Sequence, residues 1–202
     1  MFKLSLYVYS MIMSVSPAGV HPDETPDAYV ARAHEIADDI AAVVGSEPAI
    51  FEDDDAKTKT ASLITSLAFW ESNFQLFVDD GTCNSESRMR DWVRHHFTGW
   101  VGACDGTLAV SMWQIHPEGG IYLEPGAGWR WMTSKDSPTE IWTRKDLLRS
   151  RRAAVRVALH FARQSIQNGA RLCQYTSELG PCPKGDARLQ FALRWVTLHP
   201  NE

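Results

Sequence analysis

The 202-residue sequence has no surplus of positive charge: 20 Lys and Arg against 25 Asp and Glu leave a net charge of −5. Nucleic acid is therefore excluded as the main partner, because phosphate binding usually shows as a basic excess. Charge attraction to an anionic cell wall is excluded as the main source of affinity on the same ground. No apolar run is long enough for a stable membrane span. No internal repeat or low-complexity linker divides the chain, so its length argues for one domain with a sizeable core. Hydrophobic residues at 44% and charged residues at 22% rule out a disordered chain. Gly-x-Ser-x-Gly is absent, which removes the nucleophile elbow of serine hydrolases. Cysteine is scarce, and none of the four forms a Cys-x-x-Cys pair, so structural zinc is a poor reading.

What is present starts with those cysteines, at positions 83, 104, 173 and 182. Their even number allows three connectivities; the local one, Cys83–Cys104 with Cys173–Cys182, is preferred because each pair brackets a loop. Such bridges point to an oxidising compartment, with four buried thiols in a cytosolic protein as the alternative. The first 18 residues bear on the same question. Met1-Phe-Lys3 is a minimal positive start, Leu4 to Val15 is mostly apolar, and Ser16-Pro-Ala18 offers small residues for cleavage. Tyr7, Tyr9, Ser10 and Ser14 interrupt the run. Residues 1–25 thus read either as an export signal or as an N-terminal strand or arm, and residues 26–202 as the domain proper.

The periodicity predicts a mainly α fold. Thr25 is placed to cap a helix with Pro26 at its first position, and Tyr29, Ala33, Ile36, Ile40 and Val43 follow at helical spacing up to Gly45. An acidic loop, residues 52–55, precedes a second helix from about Ala56 to Phe74 with the stripe Leu63, Ile64, Leu67 and Ala68. The next place on that apolar stripe is Glu71. A carboxyl there either pairs with a cation or stays protonated at a raised pKa. A short helix is expected over 86–97 (Met89, Trp92, Val93, His96), then a long irregular Gly-, Pro- and Trp-rich segment over 117–145, with a small sheet or extended arms between 100 and 132. A helix from about Asp146 to Asn168 stops at Gly169, and a last one begins at Asp186.

Three short stretches carry the chemistry: Trp70-Glu71-Ser72-Asn73-Phe74, Ala109-Val-Ser-Met-Trp-Gln-Ile-His-Pro117 and Cys173-Gln-Tyr-Thr176. In this order they resemble the lytic transglycosylase and goose-type lysozyme family, whose hallmarks are a Glu-Ser pair, a Gly-Leu-Met-Gln-like turn and an Ala-Tyr-Asn-like motif. The resemblance covers roughly residues 60–195. It implies a lysozyme-like single domain with a buried central helix, and cleavage of peptidoglycan at the MurNAc-GlcNAc β-1,4 linkage. Glu71 would be the catalytic acid and later the base. Ser72 would support Glu71 or the substrate, Gln114 with Trp113 and Ile115 would line the glycan cleft, and Tyr175 would bring its hydroxyl close to Glu71. The chain departs from the pattern at Ser111 (usually Gly), at Met112-Trp113 (usually Leu-Met) and at Thr176 (often Asn).

The required acid must be protonated near neutral pH, and an apolar setting lifts a Glu to roughly 6–7. A lytic enzyme needs no water, since the same group accepts a proton from the sugar's own hydroxyl and a cyclic anhydro end forms. Hydrolysis by two carboxylates needs a second acid about 5–9.5 Å away. Asp105, nine residues before Gln114, is the candidate, with Asp79 and Asp80 weaker. Trp113, Trp129 and Trp131 are either sugar platforms or packing. His95, His96, His116 and Glu118 are a poor metal set, because adjacent His on a helix diverge by about 100°. No metal or cofactor is expected. The expected protein is a monomer that acts on glycan strands, exported or phage-associated. A hydrolytic goose-type lysozyme and a non-catalytic glycan-binding or virion module are the alternatives.

Overall fold

The computed structural model describes residues 2–82, 110–115, 121–124, 128–131, 143–167, 169, 171–173, 175 and 181–200. Within them the protein is mainly helical. Helix α1 spans Phe2–Val15, α2 Pro26–Ser46, α3 Ala56–Ser72 and the short α4 Leu76–Asp79. Strands β1 (Ile121–Glu124) and β2 (Gly128–Trp131) form an antiparallel hairpin in which Ile121 faces Trp131 and Glu124 faces Gly128. Helices α5 (Arg144–Arg149), α6 (Arg151–Gln167) and α7 (Pro183–Leu198) complete the order. The helix expected over 86–97 lies outside the described residues.

Helix α2 forms as its sequence dictates. The Thr25 side chain accepts a hydrogen bond from the Ala28 N–H at 3.2 Å, Pro26 opens the first turn, and the stripe from Tyr29 to Val43 is buried. The helix passes Gly45 and ends at Ser46, where the Glu47 N–H closes on the Val43 carbonyl at 2.9 Å. The N-terminal segment is a helix of the same core rather than a strand. Val8, Met11 and Ile12 of α1 are fully buried, and α1 packs on both α2 and α3. Its exit is fixed too: the Tyr29 hydroxyl donates to the Ser16 carbonyl at 2.6 Å, and the Ser16 hydroxyl meets His21 Nε2 at 2.8 Å.

Helix α3 is the central element, with every residue from Thr60 to Ala68 buried and α1, α2, α6 and α7 packed around it. Small side chains on several faces let these neighbours approach, and the buried hydroxyls are satisfied. Thr65 donates to the Ala61 carbonyl at 2.8 Å and Ser66 to the Arg188 carbonyl of α7 at 3.0 Å. The helix ends where Asn73 turns left-handed (φ 47°) and returns its N–H to the Phe69 carbonyl at 2.7 Å.

Where one long helix was expected over 146–168, there are two. Ser150 is extended between α5 and α6, and its hydroxyl accepts the Ala153 N–H at 3.2 Å as a fresh cap. Gly169, at φ 70°, stops α6 as expected. Helix α7 begins at Pro183, earlier than the expected Asp186, with Pro at the first turn. The Cys173–Cys182 disulfide (Cα–Cα 5.4 Å) ties the start of α7 to the segment after α6. Cys83 and Cys104 lie outside the described residues. Among those described, no helix is long and apolar enough to cross a membrane.

Candidate active site

Glu71 sits in the last turn of α3 with 20% of its side chain exposed. Its partner is Arg188 of α7, whose Nη1 lies 2.8 Å from Oε1, close enough for an ion pair but without the alignment of a hydrogen bond. Of the two outcomes open to a carboxyl on an apolar stripe, the fold supplies the cation. A guanidinium at that distance favours the ionised carboxyl, so the purely apolar environment expected around Glu71 is corrected. Sequence reasoning missed Arg188. The signal was present: Gly185, Arg188, Ala192 and Val196 are the buried positions of α7, at helical spacing, with Arg188 the charged one among them.

The second motif forms a tight turn. Val110 and Ile115 pair across it through both backbone bonds, at 2.7 and 2.9 Å, while Ser111 (φ 63°) and Gln114 (φ 49°) adopt left-handed conformations. Ser111 thus holds a conformation that glycine adopts at no steric cost. The turn is anchored to the central helix by the Trp113 indole, whose N–H donates to the Ile64 carbonyl at 2.9 Å. Trp113 is 1% exposed and Ile115 5%, so neither side chain offers a face to a sugar; both expected cleft residues are core. Gln114 remains partly exposed, and its amide donates to the Ser111 carbonyl at 3.2 Å.

The third motif meets the second. The Tyr175 hydroxyl donates to the Trp113 carbonyl at 2.9 Å. Burial pushes that hydroxyl well above its ordinary pKa, the negative charge of Glu71 pushes it further, and Arg188 opposes them. Tyr175 is therefore a protonated donor within the electrostatic reach of both members of the pair. Tyr175 and the 111–114 turn, from separate parts of the chain, are joined by this bond, and the Glu71 charge acts on the same hydroxyl.

Three other expectations change. Ser72 is fully buried, donates to the Ala68 carbonyl at 2.7 Å and accepts the Phe74 N–H at 3.2 Å, so its hydroxyl closes the end of α3. Asp79 is held by Arg32 at 3.3 Å and Arg151 at 3.0 Å in a bridge among α2, α4 and α6. Asp80 accepts from the Thr82 N–H and hydroxyl within its turn. Both carboxylates are thus engaged with partners of their own. Asp105, His95, His96, His116 and Glu118 lie outside the described residues. No family model, curated protein or solved structure matches the chain. The described residues contain no group of three or more His, Cys, Asp or Glu able to hold a metal. One aromatic not singled out from the sequence adjoins the acid: Trp70 is 38% exposed, set edge-on against Phe191 at 6.5 Å and Phe69 at 5.7 Å. Its signal was its place one residue before Glu71, at the end of the helix.

Proposed function

We propose that the protein is a peptidoglycan-cleaving glycosidase of lysozyme-like fold, acting on the MurNAc-GlcNAc β-1,4 linkage as a lytic transglycosylase. The observation that carries this reading is the place of Tyr175, bonded to the turn bearing Gln114 and within reach of the Glu71 charge. In the first step the Glu71 carboxyl gives its proton to the bridging oxygen as the bond from that oxygen to MurNAc C1 breaks. The released GlcNAc keeps a hydroxyl at position 4. The Glu71 carboxylate then accepts the proton of the MurNAc C6 hydroxyl while that oxygen bonds to C1, closing an anhydro ring without consuming water. Tyr175, protonated and fixed to the Trp113 carbonyl, holds the turn against this centre; Gln114 borders the sugar. Trp70, partly exposed at the end of α3, is an aromatic that could stack on a sugar ring. A hydrolytic lysozyme with Asp105 as helper is the variant of this reading that the products distinguish.

The Cys173–Cys182 bridge supports an exported or phage-borne setting with an oxidising history. A monomer is proposed. The test is direct: purified protein should clear cell-wall suspensions, and Glu71→Gln should abolish clearing with the circular dichroism spectrum unchanged. A second reading draws on the Glu71–Arg188 pair, which favours the charged carboxyl: a glycan-binding or virion module without turnover. Chitooligosaccharide binding without cleavage, unaltered by Glu71→Gln, would support that instead.

A further inference from the structure

A guanidinium stays charged at any ordinary pH, so Arg188 brings a permanent positive charge into the α3–α7 seam. Its side chain is 10% exposed, and leaving that charge unpaired would be costly. Its position is determined on two sides. Its own carbonyl accepts the Ser66 hydroxyl at 3.0 Å, which registers α7 against α3 below Glu71. One turn further along α7, Phe191 stacks on Phe69 at 6.1 Å and meets Trp70 edge-on at 6.5 Å. The seam thus delivers the guanidinium to Glu71 Oε1 at 2.8 Å. The Tyr175 hydroxyl feels both charges and remains protonated, so it adds no charge of its own. Asp186, the acid nearest Arg188 on α7, is paired outward with Arg171 at 3.4 Å.

We infer that Arg188 is the positioning residue of this site: through the ion pair it holds the Glu71 carboxyl in place and ionised in the free protein. The inference rests on the reading of Glu71 as the acid for its catalytic consequence, but not for the charge state itself. The consequence follows from the sign. Arg188 favours the carboxylate, so the proton needed for cleavage is present only toward acidic pH, and the basic limb of the rate profile lies lower than an apolar pocket would set it.

The experiment compares full-length wild type, Arg188→Met and Arg188→Lys. The pH dependence of cell-wall clearing gives one readout. The carboxyl carbon resonance of Glu71, identified by its absence in Glu71→Gln, gives a second that needs no activity. Arg188→Met should move the Glu71 titration midpoint and the basic limb upward together, by about 1–3 pH units. It should lower kcat through lost orientation and leave KM unchanged. Arg188→Lys, which restores a charge without the planar fork, should return the midpoint to within about one unit of wild type. An unchanged midpoint in Arg188→Met overturns the inference, as does a Lys variant shifted as far as Met. Should Arg188→Met fail to fold, the Lys variant still decides: a midpoint near wild type with reduced kcat supports the inference, and wild-type kcat overturns the positioning role. A midpoint that shifts in Arg188→Met, with the wild-type protein itself unable to cleave peptidoglycan, upholds Arg188 and removes the glycosidase reading.

Discussion

Ser111 holds a backbone angle of φ 63°, in the region where an L side chain costs about 1–2 kcal/mol and glycine almost nothing. Its hydroxyl meets the Trp113 N–H at 3.4 Å, a long contact that offsets little of this. Ser111→Gly should therefore raise stability by up to about 1 kcal/mol, after glycine's own entropy cost, and keep the turn's geometry. Equilibrium urea unfolding measures it, and a clear loss would mean that the serine hydroxyl matters more than the backbone strain. Tyr175 supplies a second prediction. Its hydroxyl is more basic folded than unfolded, so its contribution is complete below about pH 10, the ordinary tyrosine value, and fades as pH rises through the folded value. Tyr175→Phe should lose about 1 kcal/mol at neutral pH with the bond to the Trp113 carbonyl, and should lack the alkaline fall in stability. Urea midpoints from pH 7 to 11 test both parts; parallel curves for the two proteins would contradict the assignment. At this scale the sequence singled out Glu71 but not its cation. An Arg on a helix reads as a solvated surface charge until the spacing of Gly185, Ala192 and Val196 is followed. Trp113 was equally undecidable, because the carbonyl that takes its indole proton belongs to Ile64, on another element.

Among the elements, α2 was legible almost to the residue, because Thr25-Pro26 and an unbroken stripe all state the same thing. The break at Ser150 was not legible: helix-forming residues stand on both sides, and the apolar stripe continues across it. Only tertiary packing makes the serine a cap there. The N-terminal segment was ambiguous for a similar reason, since a moderately apolar stretch suits a leader and a buried helix alike. The corner before α7 carries the site most directly. A Cβ on Gly185 would come within 2.8 Å of the Arg171 carbonyl oxygen and 3.0 Å of the Leu172 backbone carbon. Backbone cannot yield there as a side-chain tip can. Gly185→Ala should destabilise by about 1–3 kcal/mol and, by displacing α7 and Arg188, reduce cell-wall clearing more than its stability loss alone explains. Thermal unfolding together with activity at a temperature well below the midpoint tests this; full activity in a destabilised variant would separate the corner from the site.

For the whole molecule, a mainly helical protein was readable from periodicity, whereas the bond from Tyr175 to the 111–114 turn and the pairing of Glu71 with Arg188 were visible only in the fold. The disulfide joins two of the contributing regions, since Tyr175 lies between Cys173 and Cys182, and Cys182 precedes the helix of Arg188. Removing it by replacing both cysteines with Ala should cost about 2–3 kcal/mol for a loop of this size. It should also weaken clearing in the otherwise folded protein. Stability and activity unaffected by the double replacement would show that the loop is held by its other contacts.

The central claim, that Glu71 cleaves glycan strands as acid and then base, is tested most directly by the mass of the fragments released from purified peptidoglycan. Wild-type protein should yield products ending in anhydro-MurNAc, one water lighter than reducing ends, and Glu71→Gln should release none. Reducing ends would transfer the account to hydrolysis. Fragments released equally by Glu71→Gln, or by neither protein, would contradict it.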